Sequence, residues 1–385
     1  MKILVITYNY AESASGIISR RMSEALAAKG NEVKVICSNR PHSTYDKVEV
    51  HTINSIFTAN KFASRLCGKL KRTGAIYFYD FWWVKTATKF ATQICKEWNP
   101  DFVYCRTSPE EACHVGTVLK KRFGVKVAQH FADPIPAPFE YEPQSRRRRQ
   151  LAKMMYKVVE SADIVSYGNQ AMHDYALEQI GYDFSPKSII SPDAGSCGQM
   201  RKCEFVESNE VVMTFLGNIY GNRKPQNLYK AIEVLNRAGY NITMQIFAER
   251  PHNESTDYNF IKYRGYTRDI DSALEQSDIL VDIDGDDLRP VFISSKLKDY
   301  LLINRPILSI TPANSPSEQI LKGINSVVIS RNQEDAIEEA IRTILDNDYK
   351  SWNYDDRSQL IDMFNPTTVA DNLLSALNNL SSYEK

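Results

Sequence analysis

Apolar runs of strand length alternate with segments of helical period along almost the whole chain. Residues 2–7 (Lys-Ile-Leu-Val-Ile-Thr) form an unbroken aliphatic run, the pattern of a parallel strand covered on both faces rather than of a strand with one wet side. A helical pattern over about 16–28 follows, Gly30 stops it, and a second strand is predicted at 32–37. More strands are predicted near 102–105, 125–129 and 164–167. A polar stretch at 204–210 then precedes a restart, with strands at 211–216, 242–247, 278–283 and 306–310 and a helix from about 227. This alternation predicts an α/β protein of two tandem Rossmann-like, doubly wound domains. Its expected parts are an N-terminal domain over 1–205, a second domain over 206–360, and a closing helix over 361–385 whose Leu373, Leu374, Leu377 and Leu380 pack back on the first domain. Open α/β sheets take ligands beyond the carboxyl ends of their strands, so two such domains facing one another are expected to hold a site in an interdomain cleft.

Composition removes several classes. With 43% hydrophobic and 24% charged residues among 385, the chain has the make-up of an ordinary globular protein, and disordered, collagen-like and coiled-coil readings drop out. No apolar run approaches the ~20 residues that span a bilayer, and the amino terminus opens a strand pattern instead of a signal peptide, so a cytoplasmic location is expected. The seven cysteines include no Cys-x-x-Cys pair, which supports neither a zinc site nor a disulfide framework.

Charge divides unevenly. The 47 basic and 47 acidic residues cancel, yet residues 1–205 hold 29 basic against 20 acidic. An anionic surface or substrate is thus expected to meet the first half. Lys69, Lys71 and Arg72 lie near Trp82 and Trp83, and Arg146, Arg147, Arg148 and Arg149 precede a helical Leu151, Met154, Met155, Val158 pattern. Two readings stay open for these stretches: peripheral contact with an anionic membrane, or a solvated helix start and a buried aromatic core. No nucleic-acid reading helix or RNA-binding signature accompanies the charge.

The candidate chemistry gathers in the second half. Ser294, Ser295 and Lys296 open a predicted helix over 294–302, where free backbone N–H groups and a lysine would favour an anion such as a diphosphate. Arg223 and Lys224 follow a strand and a short loop. His130 ends the strand run at 125–129, at the carboxyl edge where ligands sit. Asp282 and Asp284 form an Asp-x-Asp pair that could ligate a divalent metal, although tandem β-α-β units are the wrong setting for that use.

The opening Ile-Thr-Tyr-Asn-Tyr with Ser15-Gly16 resembles the start of GT-B-fold glycosyltransferases, particularly family 4 of retaining sugar-nucleotide enzymes. Further along, the landmarks are Phe215-Leu-Gly-Asn218, Tyr263-Arg264-Gly-Tyr266, Ser277-Asp278 and Ser294-Ser-Lys296-Leu-Lys-Asp299, and the resemblance runs nearly the whole chain. It implies a nucleotide diphosphate sugar as donor, with the diphosphate at Ser294–Lys296 and the ribose at Asp299. Arg223 and Lys224 would face the leaving diphosphate, His130 the donor sugar, and Gly16, Asn218 and Arg264 the rest of the donor site. No metal or other cofactor is expected. Two departures stand out: the family's first arginine is Asn218 here, and its glutamates separated by seven residues become Val291 and Asp299. The expected function is sugar transfer, with retention, to a glycan or lipid-linked acceptor in bacterial surface polysaccharide or lipopolysaccharide biosynthesis. A non-catalytic nucleotide-binding scaffold and a GT-B-like sugar-nucleotide epimerase are the alternatives.

Overall fold

The structure, a computed structural model, describes residues 1–10, 13–39, 45, 47–55, 61–78, 80–107, 109–138, 141–219, 221–249, 258–285 and 289–382. The chain divides into two compact units, residues 1–195 with 364–385, and residues 196–363. The division falls ten residues before the expected one, because the polar stretch after Gly195 belongs to the second unit.

Unit 1 is built on strands β1 (Lys2–Thr7), β2 (Glu32–Cys37), β3 (Val48–Thr52), β4 (Phe102–Thr107), β5 (Lys126–Phe131), β6 (Ile164–Tyr167) and β7 (Ser188–Ile190). Among the described residues they form one parallel sheet in the order β3-β2-β1-β4-β5-β6-β7. Its helices are α1 (Ala14–Ala28), α2 (Lys61–Arg72), α3 (Phe81–Trp98), α4 (Glu111–Phe123), α5 (Arg146–Ser161) and α6 (Gln170–Ile180). Side-chain caps set several of their starts: Ser13, Asp80, Ser145 and Asn169 each accept a hydrogen bond from an N–H of the first turn. Two apolar layers flank the sheet. Ile3, Val5 and Val35 face α1 on one side, and Leu4, Ile6 and Val103 face α3 and α4 on the other.

Unit 2 holds β8 (Val211–Leu216), β9 (Ile242–Phe247), β10 (Ile261–Tyr263), β11 (Ile279–Ile283), β12 (Ile307–Ile310) and β13 (Val327–Ser330), parallel and in the order β10-β9-β8-β11-β12-β13. Its helices are α7 (Gln226–Arg237), α8 (Ile270–Glu275), α9 (Leu297–Tyr300), α10 (Pro316–Leu321), α11 (Glu334–Asp346) and α12 (Ser358–Phe364), the last ending on the first residue of the closing segment. The predicted helix over 294–302 is corrected here: only the single turn α9 is helical, and Ser294 and Ser295 precede it. The final helix, α13 (Pro366–Ser382), belongs to unit 1, where Val369, Ala370, Leu373 and Leu377 join the layer with Ile3 and Leu26.

Both sheets reverse strand order, at β1/β4 and at β8/β11. Such switch points splay the loops at the carboxyl ends of the strands and open a crevice.

Candidate active site

At the switch point of unit 2, β11 delivers Asp282 and, one residue past its end, Asp284, while the turn before α9 delivers Ser294 and Lys296. Asp282 is fully buried, and neither carboxylate oxygen nor the Ser294 hydroxyl has a hydrogen-bond partner among the described residues. Burial therefore raises the Asp282 carboxyl, while the Lys296 and Arg223 charges pull it back down. Asp284 accepts a 2.7 Å hydrogen bond from Thr311 Oγ1, and burial, then the Asp282 charge, pushes it up to about 6. Lys296 is pushed down to about 8, by burial first and by the Arg223 charge second, with both aspartates working against this.

The lysine is also held sterically. Its Nζ lies over the Phe215 ring, 4.9 Å from the centroid. Gly217, at φ +96, lets β8 end beneath it; a Cβ there would meet Lys296 Cε at 3.2 Å. Tyr300 closes the floor, its hydroxyl accepting from the Leu216 N–H at 2.9 Å. Arg223 is half-buried in the loop before α7, close enough for its charge to act on Asp282, Asp284 and Lys296. Two cations and two acids thus share one crevice.

The other expected residues of unit 2 spread around this centre. Lys224 is exposed, and its carbonyl accepts from Asn332 Nδ2 at 3.1 Å. Asp299 Oδ1 accepts from Ser196 at 2.7 Å, Asn218 Oδ1 from the Glu249 N–H at 3.0 Å, and Arg264 donates to Gln245 on β9. Ser295 is exposed. Val291, which stands where the family has a glutamate, is buried. Because α9 is a single turn starting at Leu297, the expected long helix with free N–H groups at Ser294 is absent among the described residues.

The switch point of unit 1 gathers a second polar network. His130, on β5, is buried, with Nδ1 3.0 Å from Ser166 Oγ and Nε2 3.1 Å from Asp193 Oδ1. Arg106, on β4 and 1% exposed, donates to Asp193 at 2.7 Å and to Ser15 Oγ at 2.9 Å. Both ring nitrogens of His130 are therefore engaged within the network. Gly16 is not in a phosphate-approaching loop: it sits in the first turn of α1, where its N–H donates to Ser13 Oγ. Arg106 and Asp193 were not among the expected site residues. The signal for Arg106 is a lone arginine inside the strand run Phe102–Thr107, since a buried charge demands a partner.

The basic and aromatic stretches are corrected as well. Trp83 is fully buried against Tyr8, and Arg147 is buried with hydrogen bonds to the Ile76 and Tyr77 carbonyls and an ion pair to Glu110. Lys71 also pairs with Glu110, at 2.9 Å, and Arg148 reaches Tyr175 and Gln179. Helix phase explains this: only Arg146 and Arg149 of the run point to solvent. Lys69, Arg72 and Trp82 remain exposed.

Two parallel doubly wound sheets in tandem are the architecture of the GT-B fold. Residues 15–191, within unit 1, match the family described as glycosyl transferase 4-like domain. No curated protein matches the sequence. Among solved structures, sucrose-phosphate synthase from Thermosynechococcus elongatus superposes with a TM-score of 0.70 at 12% identity, over 99% of each chain. The lipopolysaccharide outer core galactosyltransferase WaaB gives 0.62 at 12% identity over 98% of this chain and 99% of its own. A putative UDP-N-acetylglucosamine 2-epimerase from Listeria monocytogenes gives 0.56 at 11% identity, covering 99% and 97%. At these identities the likeness is one of fold.

Proposed function

We propose that the enzyme transfers a sugar, with retention, from a nucleotide diphosphate sugar to a glycan or lipid-linked acceptor in the assembly of a bacterial surface polysaccharide. The observation that carries this reading is the pairing of Arg223 with Lys296 at the switch point of unit 2. Two cations in a poorly hydrated crevice would stabilise the charge that develops on a departing diphosphate, the electrostatic role a metal ion fills elsewhere. Asp282 and Asp284 hold these cations in place until the diphosphate arrives. Lys224 lies at the rim and Asp299 is the expected ribose contact. His130, with both ring nitrogens bonded to Ser166 and Asp193, is a positioning residue within unit 1. The likeness to WaaB supports the surface-polysaccharide setting.

The test is a thermal-shift screen over sugar nucleotides, since a ligand that binds the folded protein raises its melting temperature. Stabilisation by one nucleotide series, followed by slow release of free sugar from that donor, supports transfer; no stabilisation by any of them refutes it. The likeness to an epimerase favours a second reading, sugar-nucleotide interconversion, which would appear by NMR as a second sugar nucleotide without acceptor.

Two further outcomes are expected. Turnover in excess EDTA should stay within about twofold of the untreated rate, as the cations carry the electrostatic load. Loss on chelation, restored by Mn²⁺, would instead assign Asp282 and Asp284 as ligands. Affinity for an intact sugar nucleotide should fall as pH rises. A bound diphosphate favours the protonated forms of Asp284, at about 6, and of Lys296, at about 8, so binding takes up protons above each value. Titration calorimetry in buffers of different ionisation enthalpy measures that uptake directly, and proton release would contradict the arrangement.

A further inference from the structure

The outer face of α2 carries a feature that the sugar-transfer reading does not use. Phe62, Leu66 and Leu70, spaced at i, i+4 and i+8, lie along one stripe of the helix and are 77%, 48% and 37% exposed. Arg65, Lys69 and Arg72 are exposed beside this stripe. Just beyond the helix, Tyr77, Phe81 and Trp82 extend the apolar surface, each close to half exposed. The charge is of one sign: residues 61–96 contain eight lysines and arginines and a single acid, Asp80. That acid is buried, accepting hydrogen bonds from Tyr8 Oη and the Trp83 N–H, so it does not offset the surface charge.

The stripe is not a core face that has come loose. The opposite side of α2 is anchored: Cys67 is buried, and Lys71 pairs with Glu110, which Arg147 also holds. Arg147 further binds the backbone at Ile76 and Tyr77, fixing the connection to the exposed aromatics. A fold that clamps a helix by one face and turns phenylalanine, leucine and cations to water presents an amphipathic, wholly basic surface. A convex helix of this kind suits a fluid anionic interface, where aliphatic and aromatic groups enter the acyl boundary and cations meet the headgroups.

We propose that α2, with Tyr77, Phe81 and Trp82, is the element by which this enzyme docks on an anionic lipid bilayer. The proposal moves the contact from the Arg146–Arg149 run to the stripe of α2. It goes beyond the sugar-transfer reading and does not depend on donor chemistry.

The experiment is co-sedimentation of the full chain with vesicles of phosphatidylglycerol and phosphatidylcholine, or of phosphatidylcholine alone. It is run at roughly 20 mM and 500 mM salt, where the Debye length shrinks several-fold. Strong binding to the anionic vesicles at low salt, reduced at least about fivefold at high salt, is expected. Phe62→Ser with Leu66→Ser and Leu70→Ser, and separately Arg65→Gln with Lys69→Gln and Arg72→Gln, should each cut binding about tenfold or more. Arg146→Gln with Arg149→Gln should leave most of it. Circular dichroism and sugar-nucleotide affinity of these variants should match the wild type, because every replaced side chain is exposed and outside the donor site. If wild type ignores anionic vesicles at low salt, or binds both vesicle types equally, or if both α2 variants bind unchanged, the proposal fails. It fails equally if light scattering finds a dimer that the serine variant abolishes, since a second copy would then be the occupant. Failure here with intact donor turnover leaves the sugar-transfer reading standing.

Discussion

Arg106→Leu is expected to destabilise unit 1 by about 3–5 kcal/mol, the cost of removing one partner of a buried ion pair. The guanidinium lies within β4 and is 1% exposed, and its bonds to Asp193 and Ser15 tie that strand to the residues after β7 and to α1. Without it the Asp193 carboxylate loses its buried cation, which loosens the carboxylate that orients His130 at 3.1 Å. The two units need not unfold together, so the change is best read by hydrogen exchange on β4 and β5 peptides rather than from one global midpoint. Arg106→Leu combined with Asp193→Leu should recover part of the loss, because no charge is then stranded. A loss below about 1 kcal/mol in the single variant would mean that the network is relaxed and does not organise the unit.

Arg223→Ala is expected to weaken sugar-nucleotide binding by about ten- to a hundredfold, since each charge-assisted hydrogen bond contributes roughly 1.5–3 kcal/mol. Lys296→Met should match that loss and add a second one. It leaves Asp282, fully buried and without hydrogen-bond partners among the described residues, with no ammonium beside it, so unit 2 should also lose stability. Adding Asp282→Asn to Lys296→Met should restore stability and leave affinity low. That split separates a lysine that holds the fold from one that also receives the diphosphate. Calorimetric affinity unchanged in both Arg223→Ala and Lys296→Met would remove the diphosphate from this crevice.

The long parallel strands were readable because burial on both faces imposes unbroken aliphatic runs such as Ile3–Ile6 and Ile279–Val281. The edge strands were not. Val48–Thr52 mixes polar and apolar residues, and Ser188–Ile190 and Ile261–Tyr263 are three residues long, too short to show any period. The loop cations were legible as a cluster of motifs, but not their counterions, because the approach of Asp282 to Lys296 depends on how the turn before α9 folds back over β8. In the arginine run, four identical side chains conceal one buried anchor, which helix phase alone selects. Phe62, Leu66 and Leu70 carry a regular helical spacing, yet periodicity does not say whether such a stripe faces a core or water.

The place of α13 in the layer with Ile3 and Leu26 has a temporal meaning. Unit 1 is discontinuous in sequence, so a ribosome completes residues 196–363 before it makes Val369, Ala370, Leu373 and Leu377. At ~5–20 residues per second that interval lasts roughly 10–40 s, during which the layer formed by α1 and the first-made sheet lacks the part that α13 supplies, while the later-made unit already has its full sequence. The order of maturation is therefore the reverse of the order of synthesis. Nascent chains arrested near residue 363 should expose sticky surface on their oldest segment, and the last helix acts as the latch that retires it.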